Sequence, residues 1–332
     1  MPELCVRDVG EQGLLPLLFH FCPPGVVGDD AAVLAGLGTR SLVVTTDVLV
    51  EGVHFSDRTT PPDAVGWRAV AANLSDLAAM GATPLGMTIA LAMPGEVPLA
   101  WVEHFYRGMT ACLQASGGAI LGGDLSQSPV RSIAITALGQ VDPDRVLRRS
   151  AAQKGDAIVV TGLHGASRLG LAILQEPSLR GTVSSAEADR WRRAHQYPVP
   201  RLDVIEPLWQ AIAHTRCRSD IAAMDTSDGL ADAIIQICRA SGVGAKVERE
   251  RLRIPPEATA IVSPEQAITW VLYGGEDFEL VLCLPLAAAE ELVQRLGGDA
   301  AIVGEVTSEP GVFLVDGREK KPLSLAQGFQ HF

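Results

Sequence analysis

Six short segments of the sequence place an Asp or Glu beside Gly, Ser or Thr at the edge of an apolar run. They are residues 28–30 (GDD), 45–47 (TTD), 73–76 (NLSD), 122–124 (GGD), 225–229 (DTSDG) and 274–277 (GGED). A carboxylate next to an apolar strand is costly to bury unless it is paired or bound to a cation. Arginine is not plentiful around these segments and no His or Cys lies with them. Carboxylate and hydroxyl oxygens alone favour hard cations, Mg2+ above all.

Each segment also has an ordinary structural explanation. Ser227 or Asp228 could cap the helix that follows, and Asp47 and Asp124 end strands, where turn-forming acids are common. Asp76 fits a solvated helix face, and the glycine-rich segments fit turns or loops. Six such segments on elements that are expected to converge favour one shared metal-phosphate site over six unrelated features.

A protein that gathers several metal ions is expected to use them to bind a strongly negative ligand, which its own side chains could not hold. Phosphates are such ligands. The usual phosphate loops are missing. No G-x-x-x-x-G-K-[ST] occurs, since residues 242–246 (GVGAK) lack the following Ser or Thr, and no G-x-G-x-x-G opens a helix after a strand. If the chain uses ATP, it holds it through metals, glycine amides and a few arginines.

The elements that must position these acids alternate in type along the first half of the chain. Apolar β-branched runs predict strands at residues 41–47, 85–93, 119–124 and 130–141. Apolar residues at helical spacing predict helices at residues 61–81 and 96–117. The order β-α-β-α-β-β indicates a sheet with helices packed on one face, an α+β arrangement of about one domain.

A polar stretch, residues 142–156, is the candidate boundary, and a second α/β series follows it. Strands are predicted at residues 157–161, 221–224, 278–284, 300–306 and 312–315, and helices at residues 166–175, 201–215, 230–240 and 286–296. We therefore predict two domains, residues 1–145 (α+β) and 146–332 (α/β), with the ligand site in the cleft between them. Residues 1–24 are expected to pack as a helix.

Composition excludes several classes of function. The 332 residues carry a formal net charge of -12, which is unfavourable for nucleic-acid binding because that binding needs a positive surface. No run of about 18 apolar residues and no basic amino-terminal leader is present, so no membrane location is expected. The six cysteines are scattered without a C-x-x-C pair, a pattern typical of reduced thiols in the cytoplasm.

In their order and spacing, the acidic segments resemble the thiamine-monophosphate kinase family of the PurM-like superfamily. The resemblance covers about residues 28–316 and includes residues 28–33 (GDDAAV), 52–55 (GVHF), 73–84 (NLSDLAAMGATP) and 147–150 (LRRS). It implies an α+β domain that pairs its sheet across a homodimer, followed by an α/β domain. It also implies transfer of the γ-phosphoryl group of ATP to thiamine monophosphate.

The resemblance also implies roles for individual residues. Several Mg2+ ions would be held by Asp30, Thr45, Thr46, Asp47, Asp76, Asp124, Asp225 and Asp228. ATP would lie against Gly123, Asp124, Arg149, Ser227 and Tyr106, and the thiamine part against His54 and Glu276. The family's carboxy-terminal aromatic contact falls here on Ala326, with Phe329 the nearest aromatic. Either Phe329 replaces it after a loop shift, or the contact is absent.

No dedicated general base is expected for this reaction. The second pKa of a phosphate monoester is about 6, so the acceptor is already mostly a dianion at pH 7. Repulsion between two phosphorylated substrates is the obstacle, and metal ions assisted by Arg149 would reduce it.

Two alternatives remain open from the sequence. One is another ATP-dependent enzyme of the superfamily, of the aminoimidazole ribonucleotide synthetase type, which activates an amide oxygen. Selenophosphate synthetase and HypE fit less well, because Cys22 has no reactive setting and the chain ends Gln330-His331-Phe332 without a cysteine. The other is a non-catalytic nucleotide or metal sensor that uses the same acids.

Overall fold

The computed structural model describes residues 28–34, 38–176, 178–179 and 182–329, together with Gly13, Leu15, Pro16 and Phe19. Those four isolated positions are helical, and the rest of the helix predicted for residues 1–24 lies outside the described residues. The described chain forms two sheets. Among its helices, none combines the length and the apolar character needed to cross a bilayer.

The first sheet has five strands in the order β1-β2-β5-β3-β4. Their bounds are β1 (Ala32–Leu34), β2 (Ser41–Val50), β3 (Thr83–Met93), β4 (Ile120–Gln127) and β5 (Ser132–Val141). All neighbours are antiparallel except β3 and β4, which run parallel. The four strands predicted for this half are confirmed, and the short edge strand β1 was not predicted.

Two helices, α1 (Pro62–Ala79) and α2 (Leu99–Ser116), cover one face of this sheet. Pro62 occupies the first turn of α1, where its missing N–H costs nothing. The helices cross at two glycines: a Cβ on Gly66 would run into the backbone carbonyl of Phe105, and one on Gly108 into that of Asp63. Glycine is therefore required at this crossing, which brings the two helix backbones into contact.

The second sheet has seven strands in the order β12-β11-β8-β10-β6-β9-β7. They are β6 (Ala157–Val160), β7 (Ala222–Asp225), β8 (Gly244–Glu248), β9 (Leu280–Leu284), β10 (Ala301–Thr307), β11 (Gly311–Asp316) and β12 (Glu319–Pro322). All neighbours are antiparallel except β8 and β11. Strands β6, β7 and β9 are buried on both faces, so they read as continuous apolar runs, and the strands predicted there are confirmed.

Helices cover both faces of the second sheet. The helices of this half are α3 (Ala166–Gln175), α4 (Ser185–Gln196), α5 (Ile205–Thr215), α6 (Leu230–Ser241), α7 (Ala258–Ile261), α8 (Pro264–Tyr273) and α9 (Leu286–Leu296). Of these, α3, α4 and α7 pack with α8 in a separate core. Helix α6 packs on the face that carries Ile158 and Val160, and α5 and α9 pack on the face that carries Val159. Helices α4, α7 and α8 and strands β8 and β12 were not predicted from the sequence.

Helix α1 belongs to both halves of the molecule. The indole nitrogen of Trp67 donates to the carbonyl of Pro198 at 2.6 Å, and the hydroxyl of Tyr197 donates to Asp63 at 2.5 Å. At the other end of the helix, Ala78 and Ala79 join the core under α5 and α9. The acidic residue Asp76 therefore lies where the two sheets meet.

The second face of the first sheet carries no helix among the described residues. Strand register aligns Val48, Ala134, Ala90 and Asp124 across this face. Val48 is 49% exposed, and β4 is exposed along almost its whole length. This open face ends at strand β4, which within the described part of the chain pairs on one side only.

Candidate active site

Three aspartates from distant parts of the chain meet at the junction of the two halves. Asp30, Asp76 and Asp225 each offer a carboxylate oxygen, and these oxygens lie within 4.8 Å of one another. Asp30 precedes β1, Asp76 lies on α1, and Asp225 is the last residue of β7. We call these three residues the acidic cluster. The convergence predicted for their three segments is confirmed.

Strand β2 supplies two more predicted residues on the same side. The hydroxyl of Thr45 donates to Asp76 Oδ2 at 2.5 Å and approaches the carbonyl oxygen of Asp30 at 3.3 Å. Asp47 follows two positions later, so its side chain points the same way. Its carboxylate lies close enough to Asp30 and Asp228 for their charges to act on its ionisation.

Thr46 is not brought to the acidic cluster by its side chain. It lies between Thr45 and Asp47 on a regular strand, so it faces the open side of the sheet. Its hydroxyl donates to the carbonyl of Ile135 at 2.8 Å. Neighbouring strand residues face opposite sides of the sheet, so the Thr46 side chain is not a ligand at the acidic cluster. Metal binding by Thr46 elsewhere stays a prediction.

The turn that follows β7 places three predicted residues together. The hydroxyl of Ser227 donates to Asp225 Oδ1 at 2.9 Å, so it serves the acidic cluster, not the amino terminus of α6. Asp225 is 2% exposed, and its Oδ2 makes no hydrogen bond within the described residues, although the Ser75 hydroxyl lies near enough to lower the pKa of this carboxyl. Asp228 is exposed on the same turn. Gly229, with φ of 112°, then leads into α6.

The acidic cluster has too little positive charge. Burial, then the charge of Asp30, raises the pKa of Asp225 to about 7. Burial, then the charges of Asp228 and Asp30, raises the pKa of Asp47 to about 6. Burial and the charges of Asp47 and Asp225 hold the pKa of Asp76 well above its usual range. All donors are oxygens and one buried carboxylate oxygen lacks a partner, which fits a hard divalent cation such as Mg2+.

Arginine contributes more here than the sequence indicated. Nε and Nη2 of Arg149 both contact the carboxylate of Asp30 at 3.1 Å. The backbone N–H of Arg149 and Nη1 of Arg148 donate to Asp29, each at 2.9 Å. The expectation that arginine is scarce near the acids is thus corrected for this segment, because more than 100 residues of chain separate the partners that folding brings together.

Gly123 and Asp124 lie away from the acidic cluster within one chain. Asp124 is paired with Ala90 on the edge strand β4, and three strand spacings, about 14 Å, separate β4 from β2. Both residues are exposed. The expectation that Asp124 joins the other metal ligands is not met within a single chain, because the sheet puts its strand at the opposite edge.

Tyr106 lies on α2 and is partly exposed. Its ring packs edge-on against Phe105, with 5.3 Å between centroids, and burial raises the pKa of its hydroxyl. The described contacts fix the ring against the core of the first sheet.

A clamped turn presents His54. Nδ1 of His54 accepts a hydrogen bond from the backbone N–H of Val50 at 3.0 Å, so in the neutral ring the proton lies on Nε2. Arg131 fastens the turn: its Nε donates to Glu51 at 2.9 Å, its Nη1 donates to Asp57 at 2.8 Å, and its guanidinium lies 5.7 Å from the ring centroid of Phe55. His54 is thus a fixed hydrogen-bond donor.

Glu276 lies beside the turn that carries Ser227 and Asp228. Its backbone N–H donates to the carbonyl of Ser227 at 2.7 Å. Gly275 and Glu276 both have positive φ, of 64° and 59°, a conformation that is unusual for Glu. The carboxylate of Glu276 pairs with Arg68 of α1. This segment therefore connects the predicted substrate residue to both the acidic cluster and the first half of the chain.

The carboxy-terminal segment passes the same turn. Ala326 lies in a short helical turn, and its N–H donates to Ser324. A Cβ built on Gly328 would lie 3.8 Å from the carbonyl oxygen of Asp228. Phe329, the next residue, is 52% exposed. The placement of this segment is compatible with Phe329 reaching the site.

Sequence reasoning missed the arginines that hold the site together, Arg68 and Arg131. A signal for Arg68 was available: α1 contains only three charged residues, Asp63, Arg68 and Asp76, in 18. A charge inside such an apolar helix must have a partner. For Arg131, no local pattern marks its role, since its acidic partners lie 74 and 80 residues earlier.

Comparisons with known proteins match nearly the whole chain. The model of the AIR synthase related protein N-terminal domain matches residues 28–141, and that of the AIR synthase related protein C-terminal domain matches residues 153–317. The thiamine-monophosphate kinase of Synechococcus elongatus is 51% identical over 332 residues, 100% of this chain and 99% of that protein. The Escherichia coli K12 thiamine-monophosphate kinase is 36% identical over 314 residues, 92% of this chain and 91% of that protein.

Solved structures share the fold over at least 95% of this chain. The structure of AaThiL complexed with AMPPCP and TMP superposes with a TM-score of 0.82 at 29% identity and covers 100% of both chains. The thiamine monophosphate kinase structure from Aquifex aeolicus gives a TM-score of 0.77 at 29% identity, over 96% of this chain and 100% of that chain. E. coli HypE shares the fold alone, with a TM-score of 0.69 at 21% identity over 95% of this chain and 97% of its own.

Proposed function

Because the chain belongs to the AIR synthase related protein family and, within it, to the thiamine-monophosphate kinases, we propose that it phosphorylates thiamine monophosphate with ATP. A phosphate oxygen of the acceptor forms a bond to the γ-phosphorus as the bond to the β-γ bridging oxygen breaks, which yields thiamine diphosphate and ADP. The observation that carries this proposal is the acidic cluster, which lies partly buried at the junction of the two sheets and is short of positive charge. AaThiL, which shares the fold, has been solved with AMPPCP and TMP.

The donor set fits Mg2+. Asp30, Asp76 and Asp225, with Thr45, Asp47 and Asp228 around them, would hold the ions. Bound Mg2+ would supply charge neutralisation between two phosphorylated substrates and alignment for in-line transfer. Without a counter-charge, the acids would repel the very phosphates that the enzyme must bind.

The reaction does not require a side chain that acts as a general base. The phosphate of the acceptor is mostly a dianion at pH 7 because its second pKa is about 6. Arg149 is held by Asp30 through two hydrogen bonds at 3.1 Å, so its guanidinium is fixed beside the acidic cluster. A planar guanidinium in this position suits a phosphoryl group of the nucleotide. Ser227 lies on the adjacent turn and would contact the same ligand.

His54 and Glu276 are assigned to substrate recognition. His54 offers an Nε2–H donor from a turn that Arg131 fixes, and Glu276 offers a carboxylate next to the Ser227 turn. Thiamine carries a cationic thiazolium ring and an aminopyrimidine, both complementary to a carboxylate. A hydrogen-bond donor and an acid on opposite halves of the molecule would thus hold the thiamine part.

A homodimer would account for Gly123, Asp124 and the open face of the first sheet. Among the described residues, strand β4 pairs with β3 alone, and Val48 on the open face is 49% exposed. Pairing of two such faces would cover both features. We place Asp124 of the partner subunit near β2 of the first chain, where Thr46 also faces the open side. Mixing inactive D76N and D124N subunits should then restore about a quarter of the wild-type activity, since one site in each mixed dimer would be intact.

We also place the protein in the cytoplasm. Its described cysteines, Cys112, Cys217, Cys238 and Cys283, are all free thiols. Secreted proteins more often pair them.

The direct test is an assay with Mg-ATP and thiamine monophosphate in which ADP and thiamine diphosphate are separated by chromatography. Equal amounts of both products are expected, with unphosphorylated thiamine inert because its neutral hydroxyl would need a base. ADP formed only with an amide-containing acceptor would support a synthetase of the aminoimidazole ribonucleotide type. Nucleotide binding without turnover of any acceptor would support a sensor.

A further inference from the structure

Arg68 is a buried guanidinium that crosses from one half of the molecule to the other. Its side chain is 2% exposed and belongs to α1, which covers the first sheet. Its Nη1 donates to the carbonyl of His195 at 2.5 Å, and its Nη2 donates to Glu276 Oε1. Both partners belong to the second half. A buried charge of this kind is costly and is retained only with well-placed partners.

The groups around Glu276 leave Arg68 as its charge partner within the described residues. The second carboxylate oxygen, Oε2, lies 3.6 Å from Nδ1 of His195. Nδ1 of His195 also lies 3.0 Å from the hydroxyl of Ser167. Burial, then the charge of Arg68, lowers the pKa of His195 well below its usual value, so this ring is neutral at pH 7. His195 therefore lies beside the carboxylate without adding charge.

The backbone of Glu276 also needs outside support. Its φ of 59° lies in the left-handed region, which a Glu does not favour by itself. Two contacts tie the residue down: its N–H to the carbonyl of Ser227 and its Oε1 to Arg68. Removing the second contact would free the carboxylate to rotate, while the first would keep the backbone in place.

We propose that Arg68 is a positioning residue that holds one oxygen of Glu276 so that the other faces the thiamine part of the acceptor. This inference rests on the proposed function, since it assigns Glu276 to that acceptor. Glu276 is 31% exposed at its side chain while Arg68 is 2% exposed, so the acid meets the ligand and the arginine stays behind it. Arg68 lies on α1 eight residues before Asp76, so one helix supports both the acceptor-binding acid and the acidic cluster.

The test compares R68M, R68K, E276Q and the double variant R68M/E276Q with wild type, and uses R107M as a control on an exposed arginine. Affinity for thiamine monophosphate and for an ATP analogue is measured separately by calorimetry, alongside KM and kcat. R68M should weaken thiamine monophosphate binding about tenfold or more, with the ATP analogue within about twofold of wild type. R68K, which retains the charge, should recover part of the loss.

The double variant separates positioning from general damage. If Arg68 acts through Glu276, R68M/E276Q should bind thiamine monophosphate no more weakly than E276Q alone. Independent, multiplying losses, or equal losses for both substrates, would overturn the proposal. Should R68M fail to fold, R68K carries the same comparison. A wild-type protein that does not bind thiamine monophosphate would refute the proposed function, whereas unchanged binding by R68M and R68K refutes only this inference.

Discussion

Replacing Asp225 with Asn should stabilise the metal-free protein and abolish its stabilisation by Mg2+. The carboxylate is buried beside Asp30 and Asp76, and its Oδ2 lacks a donor. An Asn side chain would retain an oxygen to accept from Ser227 and would place an amide N–H toward the neighbouring carboxylates. Repulsion would thereby be replaced by a hydrogen bond, while one ligand of the cation would be lost.

The size of the effect follows from the ionisation of Asp225. Its pKa of about 7 lies roughly three pH units above that of a free aspartate, which corresponds to about 4 kcal/mol of cost for the charged form. Burial of the charge is the largest part of this cost, followed by repulsion from Asp30. Because Asp225 titrates together with its neighbours, we expect about 2 kcal/mol from one replacement. Since the folded pKa is raised, the folded state keeps a proton that the unfolded chain releases. Metal-free stability therefore falls as pH rises from about 4 to about 7.

The assay is urea unfolding in EDTA at pH 5 and pH 8, repeated with Mg2+. D225N should exceed wild type by about 2 kcal/mol at pH 8 and by much less at pH 5, where wild-type Asp225 is mostly protonated. With Mg2+ at pH 8, wild type should gain stability and D225N should not. The exposed Asp220 provides a control, D220N. A D225N protein that is less stable than wild type in EDTA at pH 8 would refute the reasoning.

Three further predictions concern single contacts. R149K should raise the KM for ATP about tenfold in steady-state kinetics, because Lys cannot make the paired contacts with Asp30; an unchanged KM would contradict the assignment. F329L should raise the KM for thiamine monophosphate if Phe329 replaces the aromatic contact expected at position 326, and A326F should not rescue it if that position lies outside the site. G108A should lower the free energy of unfolding by about 3 kcal/mol because its Cβ meets the carbonyl of Asp63, whereas G95A, with nothing within 4 Å of its Cβ, should change it little.

Much of the site could be predicted from local sequence. Helix α1 has a proline at its start and apolar spacing throughout, so its existence and the position of Asp76 followed directly. The strands β6, β7 and β9 are short apolar runs, and Asp225 ends one of them. Because these acids lie at the ends of buried elements, they were expected to meet at a common junction.

The placement of other residues could not be predicted, for definite physical reasons. Thr45 and Thr46 are adjacent on β2, so strand alternation alone rules out that both side chains face one site. The position of Asp124 depends on the order of the strands in the sheet, which the sequence does not show. Strands β5 and β3 lie between β2 and β4, so Asp124 is on the far side of the sheet. The pairing of Arg149 with Asp30 spans 119 residues and leaves no local pattern.

The missed helices had weaker or overlooked signals. Helix α4 has a polar composition, yet Ser184 and Glu187 form a capping box at its start. Helix α8 begins with Ser263 as its cap and Pro264 in its first turn. Both start signals were readable, whereas the short strand β12 has four exposed residues and pairs only through tertiary contact with β11.

The central claim is that cations held by the acidic cluster bring ATP and a phosphorylated acceptor together for direct transfer. It is tested most directly with ATP labelled at the γ-phosphorus, thiamine monophosphate and wild-type or D76N protein, with Mg2+ or with EDTA. The label should appear in thiamine diphosphate in a one-to-one ratio to ADP, only with Mg2+ and wild-type protein. Label released as inorganic phosphate, or transfer that persists in D76N at wild-type rates, would contradict the account.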